Sequence, residues 1–480
     1  MNLTKPEEFL HISYSKVSSD GKTLRPAYLV WDLKKLFPKL VVTEEEALLM
    51  TQRELTPGEG LEFVIRGVRD RYLGVDESWK ELYTWYRQNE GQKVDRILDA
   101  GFFKKKPDAL TGEEAAELYG EKKQFSVTRM ERFSACAYAH FLTYGLHLSD
   151  RERYEFEAMD LGNIAHQSME RFARKAQEKR MPWPKLEEVQ RDAMIEESVE
   201  ESIKDYGNTV LYSTARNEYM IVRIKQLIRR SVWALTRQME KGDFEPSGYE
   251  MNFGSGKIDR VDTCEDEDVV YVKVTDYKTG MKSFDIVALY HGLQMQLPVY
   301  LNAALELEER RASGKTVEPA GIFYYRIKDP IVDREKDDHA LEEKILKELR
   351  LDGMINAKEE VIEHLEHQLS GTSVLNPIGK NKDGSLNRYS KVLPPEAFAA
   401  MLSYTKKKEA QVKRQIYAGE VQANPYELNG STGCDYCAYR DICGFDPRLD
   451  GYAYRSLEKY SKEEVIRRME EEIENREEPS

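Results

Sequence analysis

The sequence Gly256-Lys-Ile-Asp-Arg-Val-Asp262 is followed, after a short acidic stretch, by Val269-Val-Tyr-Val-Lys-Val-Thr-Asp-Tyr-Lys-Thr-Gly280. Both runs are rich in β-branched or aromatic residues, and the acidic stretch Cys264–Asp268 has the composition of a turn, so we predict a β-hairpin. A hairpin can bring Asp259, near the start of one strand, close to Asp276, near the end of the next. These two carboxylates are the starting point for predicting both the fold and the function.

Two carboxylates that converge on one point attract a hard cation such as Mg²⁺. Lys278, two residues after Asp276, lies on the same face of the strand. Carboxylates, a metal ion and a lysine suit phosphodiester hydrolysis, because the metal activates water and the ammonium offsets charge in the transition state. The alternative is a surface hairpin with solvated charges, since 33% of the residues are charged.

Three segments carry a resemblance to a known family: Asp259-Arg-Val-Asp262, Asp276-Tyr-Lys-Thr-Gly280 and Gln296-Leu-Pro-Val-Tyr300. Their order and separation resemble the nuclease core of the RecB family, a branch of the PD-(D/E)XK superfamily. The resemblance implies an α/β, restriction-endonuclease-like core, in which helices flank a central mixed sheet and helical insertions are present. It also implies a metal-dependent deoxyribonuclease of the exonuclease type.

The resemblance further implies roles for individual residues. The implied Mg²⁺ ligands are Asp259, Asp276, His166 and the main-chain carbonyl of Tyr277. Lys278 orients or polarises the attacking water, and Gln296 and Tyr300 brace the site or touch the phosphate. Glu250, in a strand-like run before the hairpin, joins the catalytic set, and Glu170, one helical turn after His166, is a neighbour of the site. For an isolated helical histidine such as His166, a structural role is the alternative.

Three cysteines, Cys434, Cys437 and Cys443, follow a C-x₂-C-x₅-C spacing, and Cys136 can supply a fourth ligand. Zinc and cubane iron–sulfur sites both usually take four ligands, so the spacing leaves both open. The resemblance favours a [4Fe–4S] cluster that joins the two ends of the nuclease domain. We leave Cys264, in the predicted turn, as a free cysteine.

Composition limits the class of protein. The net charge of −14 argues against DNA binding through overall charge, so a DNA site needs a local basic channel. The helix that contains Arg223, Lys225, Arg229 and Arg230 is either a solvated face or a phosphate-contacting wall. No targeting signal and no apolar run of roughly 18 residues is present, so we expect no membrane contact and a cytoplasmic bacterial protein.

The nuclease segments and the cysteines together resemble the B subunits, AddB, of the bacterial AddAB helicase-nucleases. The resemblance covers Phe125–Tyr454 and implies a DNA substrate, namely single strands from unwound double-strand ends, an A subunit as partner, and a role in recombinational repair. Such subunits are longer, so we expect a carboxy-terminal portion. We predict a helicase-like remnant and linker at 1–124 with an opening strand at Phe9–Ser15, a nuclease domain at 125–454, and an acidic tail at 455–480.

Two alternatives stay open. One is a stand-alone nuclease that resembles the CRISPR-associated iron–sulfur exonucleases. The other is a structural DNA-binding module that does not cut. A cleavage assay distinguishes the second alternative, and co-purification with a helicase partner distinguishes the first.

Overall fold

The structure is a computed structural model that describes residues 5–18, 22–44, 56–69, 77–102, 109–120, 125–149, 156, 158–206, 209–212, 214–254, 256–312, 314–335, 337–449 and 451–474. The chain divides into two compact units, Met1–Lys104 and Lys105–Ser480. The sequence suggested a boundary at residue 124, and residues 121–124 lie outside the described ranges. Helix Gly112–Tyr119 nevertheless belongs to the second unit, because Ala115 and Tyr119 share a core with Phe125.

The first unit contains the helices α1 (Tyr28–Leu36), α2 (Pro57–Arg69), α3 (Glu77–Asn89) and α4 (Gly91–Gly101). Its core is small and centres on Val64, Tyr86 and Val94. The strand predicted at Phe9–Ser15 is wrong, since this segment is irregular and Phe9 is 87% exposed. A strand needs a hydrogen-bonded neighbour, and no described segment pairs with it.

The second unit contains further helices and all nine strands of the two described sheets. The helices are α5 (Gly112–Tyr119), α6 (Val127–Ala135), α7 (Ala137–His140), α8 (Ala158–Glu178), α9 (Glu188–Tyr206), α10 (Ala215–Met239), α11 (Ile286–Tyr290), α12 (Gln296–Arg311), α13 (Asp338–Glu348), α14 (Glu359–Leu365), α15 (Pro395–Tyr417), α16 (Arg440–Cys443) and α17 (Lys462–Glu474). The strands are β1 (Glu245–Asn252), β2 (Lys257–Glu265), β3 (Val269–Lys278), β4 (Thr316–Arg326), β5 (Asp352–Asn356), β6 (Val392–Leu393), β7 (Tyr426–Leu428), β8 (Ser431–Thr432) and β9 (Arg455–Ser456).

The main sheet has six strands in the order β1-β2-β3-β4-β5-β6. Strands β3 and β4 are parallel, with α12 as the crossover, and β5 and β6 are also parallel, whereas the other neighbours are antiparallel. The predicted α/β fold with a central mixed sheet and flanking helices is therefore confirmed. A second sheet, in the order β8-β7-β9, is built from short strands near the carboxyl end.

The β2–β3 hairpin forms as predicted, but its turn is shorter. Cys264 pairs with Tyr271 and Glu265 pairs with Val270, so both residues belong to β2. The turn is reduced to residues 266–268. Cys264 was expected in the turn; the strand extends through it because its side chain packs in the core, where it is 5% exposed.

Two hydrophobic cores cover the two faces of the main sheet. Val272 and Val274 of β3 belong to the first core, which also includes residues of α12, α15 and α17. Tyr271 and Tyr277 belong to the second core, which includes residues of α8, α9, α10 and α14. Because side chains alternate along a strand, β3 needs apolar residues at nearly every position to fill both cores.

The acidic carboxy-terminal segment, predicted as a helix-like solvated tail, contains the short strand β9 and an ordered helix that packs against the core. Helix α17 buries Val465, Ile466 and Met469 in the first core. Its acidic residues occupy the outer face, which is why the composition resembled a solvated tail. Residues 475–480 lie outside the described ranges. Among the described helices, none is both long enough and apolar enough to cross a bilayer.

Candidate active site

The β2–β3 hairpin brings Asp259 next to the carboxyl end of β3. The backbone N–H of Tyr277 donates a hydrogen bond of 2.7 Å to Asp259 Oδ2. Asp276, the preceding residue, is 2% exposed. It lies on β3, where it pairs with Tyr324 of the neighbouring strand β4. The two carboxylates predicted from the sequence thus lie together on one edge of the site.

Asp276 has an unusual electrostatic environment. Burial, together with the negative charge of Asp259, raises the pKa of Asp276 to about 7, although Lys278 and His166 act in the opposite direction. The Lys278 ammonium lies against Asp276 Oδ2. This contact partly neutralises the buried carboxylate and turns Oδ2 towards Lys278.

His166 reaches the same carboxylates from helix α8. Its Nδ1 atom is 3.3 Å from Asp259 Oδ2, and its ring lies edge-on to that of Tyr277. Burial opposes protonation, but Asp259 and Asp276 outweigh it and raise the pKa of His166. The helix can approach so closely because residue 162 is glycine, where an added Cβ would lie 3.1 Å from Thr279 Oγ1.

Gln296 and Tyr300 flank Asp276 from the first turn of α12. The Gln296 side-chain amide donates to Asp276 Oδ1 at 2.8 Å and to the Tyr300 hydroxyl at 2.9 Å. Burial raises the pKa of Tyr300, so this hydroxyl stays protonated at neutral pH. The pair therefore fixes the orientation of the Asp276 carboxylate.

Glu131 is a residue of the site that the sequence did not indicate. Its Oε1 atom accepts hydrogen bonds from the backbone N–H groups of Met295, at 2.7 Å, and Gln296, at 3.0 Å. Burial raises the pKa of Glu131 in spite of Lys282. The side chain of Ser126 caps α6, whereas Glu131 caps α12. Its partners are 164 and 165 residues away, so no local pattern signals this role.

Glu250 lies on β1 beside the carboxylates. One ligand atom each from His166, Glu250 and Asp259 falls within 4.8 Å of the others. Burial is the main reason that the pKa of Glu250 is raised, although Lys257, 2.6 Å away, opposes the shift. Its backbone φ of +47° is strained for a non-glycine residue. Such strain is typical of residues that a surrounding structure holds in a functional position.

Two further sequence predictions have definite outcomes in the structure. Glu170 accepts a hydrogen bond from Arg174 at 2.8 Å and is absent from the described groups of converging metal-ligating atoms.

The positive charge of the basic helix α10 is largely neutralised by carboxylates. Lys225 and Arg229 pair with carboxylates of α9, and Arg230 pairs with Asp329. The solvated-face alternative therefore describes these three residues better than a phosphate-contacting wall.

The structure places Cys136 beside the three cysteines near the carboxyl end of the chain. Cys136 packs with Cys437 and Tyr439 in a small apolar cluster. Burial raises the pKa of Cys434, and the neighbouring thiols Cys136, Cys437 and Cys443 raise it further. Among the described residues, however, no three of these thiols lie within 4.8 Å of one another. One zinc ion with Zn–S bonds of about 2.3 Å needs sulfur atoms roughly 3.8 Å apart.

Hydrogen bonds join the same two ends of the unit. The Ala137 N–H donates to Asn424 Oδ1 at 2.9 Å, and the Tyr138 N–H donates to the Gln422 carbonyl at 3.1 Å. The Arg455 guanidinium donates to the Ser134 carbonyl. The cysteines therefore lie on segments that are already held together by hydrogen bonds.

Residues 124–444 match the family model of the PD-(D/E)XK nuclease superfamily. A protein of Lachnoclostridium phytofermentans, named as the B subunit of an ATP-dependent helicase/deoxyribonuclease, is 37% identical over 97% of this chain and 42% of its own length. A protein of the same name from Alkaliphilus oremlandii is 32% identical over 98% of this chain and 44% of its own length. The chain thus spans less than half the length of these curated relatives.

Proposed function

Because the chain belongs to the PD-(D/E)XK nuclease superfamily, we propose that it hydrolyses phosphodiester bonds of DNA at the site formed by Asp259, Asp276 and Lys278. The observation that carries this proposal is the convergence of His166, Glu250 and Asp259, whose ligand atoms lie within 4.8 Å of one another. The buried ion pair of Asp276 and Lys278 belongs to the same site, because Asp259 and His166 both act on the pKa of Asp276. Two carboxylates and an imidazole at one point offer the donor atoms that a divalent cation needs.

The donor atoms at the site fit Mg²⁺. The residues that would hold it are Asp259, Asp276, His166 and the main-chain carbonyl of Tyr277, and Glu250 lies within 4.8 Å of the ligand atoms of His166 and Asp259. Oxygen atoms predominate in this set, as a hard cation requires. When bound, Mg²⁺ supplies a water of lowered pKa and stabilises negative charge on the phosphate.

The protein side chains have separable tasks in this proposal. Lys278 holds a positive charge beside the position where a water attacks the phosphate and so favours the developing charge. Gln296 keeps Asp276 Oδ1 engaged, which directs Oδ2 towards the site. Tyr300 shares the same amide and can contact a phosphate oxygen from the N-terminal turn of α12.

We also propose that Cys136, Cys434, Cys437 and Cys443 bind a [4Fe–4S] cluster. The C-x₂-C-x₅-C spacing and the position of Cys136 beside Cys437 support it. Burial raises the pKa of the Cys136 thiol, although backbone N–H groups of Ala139, Asn424 and Tyr138 favour its thiolate. When bound, such a cluster would join the two ends of the second unit covalently.

The relatives, which are named as B subunits of an ATP-dependent helicase/deoxyribonuclease, support a setting for this activity. We propose that the chain is the nuclease part of a helicase-nuclease in the bacterial cytoplasm. It would act with an A subunit on double-strand DNA ends and cut one unwound strand before recombinational repair. Co-purification of a helicase partner with the tagged chain from its own cells tests the assembly, and its absence would favour a stand-alone nuclease.

The nuclease activity is tested by cleavage of single-stranded DNA with Mg²⁺, on protein with quantified iron and zinc. We expect Asp276→Ala to abolish cleavage, whereas Asp338→Asn, which changes an exposed carboxylate of α13, should cleave as the native chain does. Equal cleavage by the Asp276 variant would remove the proposal. No cleavage by the native chain with its iron in place would instead support a structural module.

A further inference from the structure

A second group of metal-ligating side chains lies outside the candidate active site. One ligand atom each from Asp243, Cys264 and His364 falls within 4.8 Å of the others. His367 lies beside this group, since its Nε2 atom is 2.7 Å from Asp243 Oδ2. The same oxygen is 2.8 Å from His364 Nδ1. The group therefore combines a thiol, an imidazole and a carboxylate, and a second imidazole contacts the carboxylate.

The backbone holds these residues together. The Asp243 N–H donates to the His364 carbonyl at 2.8 Å, and the His367 N–H donates to the Lys241 carbonyl at 2.8 Å. A Cβ atom on Gly242 would lie 2.4 Å from the His364 carbonyl oxygen, so only glycine allows the two segments to come this close. The ligands thus lie on a fixed frame formed by the segment after α10, the end of β2 and the end of α14.

The group extends from a buried thiol to exposed side chains, so an ion can enter it from solvent. Cys264 is only 5% exposed and forms the inner end of the group. The side chains of His364, Asp243 and His367 are 22%, 43% and 47% exposed and form the outer end. Asp266 adds a carboxylate 3.8 Å from His364 Nε2. Two carboxylates at the entrance favour a cation over any anionic ligand.

The donor types identify the class of ion. Thiolate and imidazole ligands suit zinc and similar transition metals, whereas Mg²⁺ and Ca²⁺ take oxygen ligands. We propose that Asp243, Cys264 and His364 bind one Zn²⁺ ion and that His367 orients the Asp243 carboxylate. On binding, the Cys264 thiol loses its proton to solvent and the thiolate ligates the metal.

This site is separate from the proposed nuclease site. Cys264 lies five residues after Asp259 on β2, which places the two roughly 16 Å apart along the strand. Zinc would fasten α14 to the end of the hairpin and to the segment that leads into β1. Its effect is therefore expected on the stability of the second unit rather than on the chemistry of cleavage.

The test uses Co²⁺ as a spectroscopic probe and Zn²⁺ as a stabilising ion on the full chain, with iron content measured beforehand. The variants are Cys264→Ser and His367→Gln, and the control is His339→Gln, which changes an exposed histidine of α13. We expect the native chain to bind one more equivalent of Co²⁺ than Cys264→Ser does, with a thiolate-to-cobalt charge-transfer band that the variant lacks. Zn²⁺ should displace this Co²⁺.

Thermal unfolding provides the second measurement. Zn²⁺ should raise the unfolding midpoint of the native chain and of His339→Gln, but not that of Cys264→Ser. His367→Gln should bind Zn²⁺ at least about tenfold more weakly. Identical Co²⁺ spectra and stoichiometry in the native chain and Cys264→Ser would overturn the proposal. If Cys264→Ser does not fold, the test depends on the surface variant His367→Gln. A Zn²⁺ affinity of His367→Gln equal to that of the native chain would then overturn the proposal.

Discussion

The Gln296 side-chain amide donates a hydrogen bond of 2.8 Å to Oδ1 of Asp276, while the Lys278 ammonium lies against Oδ2 of the same carboxylate. One oxygen is thus held by an amide, and the other is turned towards the lysine of the candidate site. Asp276 and Gln296 are 20 positions apart and lie on β3 and α12, which belong to one crossover. Small changes in the angle between these elements would therefore alter the direction of Oδ2.

Gln296→Ala should weaken Mg²⁺-dependent cleavage without unfolding the chain. Removing a side chain that orients a metal ligand typically costs about 10–100-fold in metal affinity or activity. We expect the loss mainly as a higher Mg²⁺ concentration for half-maximal cleavage. Gln190→Ala, at an exposed position of α9, is the control and should change nothing. A normal Mg²⁺ dependence in Gln296→Ala would contradict this role.

Lys278→Ala should lower the rate of cleavage by about 10²–10³-fold, because it removes a positive charge placed beside the reacting phosphate. Metal affinity should be retained, since the carboxylates remain, and single-turnover rates at saturating Mg²⁺ measure the effect. Lys382→Ala, which changes an exposed lysine of a surface loop, is the control. A rate that Mg²⁺ restores to the native value would show that Lys278 acts only on metal binding.

Asp276 should make the metal-free chain less stable as the pH rises. Its pKa in the folded chain is raised to about 7, above an unfolded value of about 3.9. A group with a raised folded pKa contributes its full stability below the unfolded pKa and loses it as the pH rises through the folded pKa. Between about pH 4 and pH 7 this contribution is therefore lost.

The test compares thermal unfolding midpoints of the native chain and Asp276→Asn in the presence of a chelator. At pH 4 the two should be similar, and at pH 8 the variant should be the more stable. Mg²⁺ should then stabilise the native chain at pH 8 but not the variant. Asp338→Asn controls for the loss of an exposed carboxylate. The same difference between native chain and variant at both pH values would disprove the assignment.

Glu131→Ala should destabilise the chain by about 1–3 kcal/mol, because two backbone N–H groups at the start of α12 lose their acceptor. Glu131→Gln should cost less, since its amide oxygen can still accept and no buried charge remains. Glu396→Ala, at an exposed first-turn position of α15, should stay within about 0.5 kcal/mol. Denaturant unfolding gives these values, and equal costs for the two alanine variants would refute the capping role.

Cys443→Ser should abolish iron binding and the broad visible absorbance of the anaerobically purified chain. The variant should also be more sensitive to protease, because the two ends of the unit would no longer be joined by the cluster. Cys264→Ser is the matched control and should keep its full iron content. Zinc in place of iron in the native chain, or iron retained by Cys443→Ser, would contradict the proposed cluster.

Local patterns in the sequence located much of this site. The hairpin, the Asp276 and Lys278 spacing, and the one-turn separation of Gln296 and Tyr300 all depend on residues close in the chain, where strand and helix periods apply. The role of Glu131 could not be predicted in this way, because the nearer of its partners is 164 residues distant. The same holds for Phe9–Ser15, whose composition suits a strand but which has no described partner.

Composition was misleading where one face of an element is buried and the other is charged. Helix α17 has glutamates on its outer face, and only Val465, Ile466 and Met469 reveal its contact with the core. Cys264 was predicted in the turn, but β2 is long enough to include it. Its placement at the end of β2 rather than in the turn directs the thiol inward, towards a histidine that is about a hundred residues later in the sequence.

The contact between the Cys136 segment and residues 422–455 has a consequence for synthesis of the chain. All strands from β1 to β4, and with them Asp259, Asp276 and Lys278, are complete by Arg326. Cys136 emerges first and must wait for nearly 300 further residues before Cys434 is made. At about 5–20 residues per second, that delay is roughly 15–60 s. The nuclease carboxylates can thus assemble on the ribosome while Cys136 is still exposed to oxidants and stray metal ions.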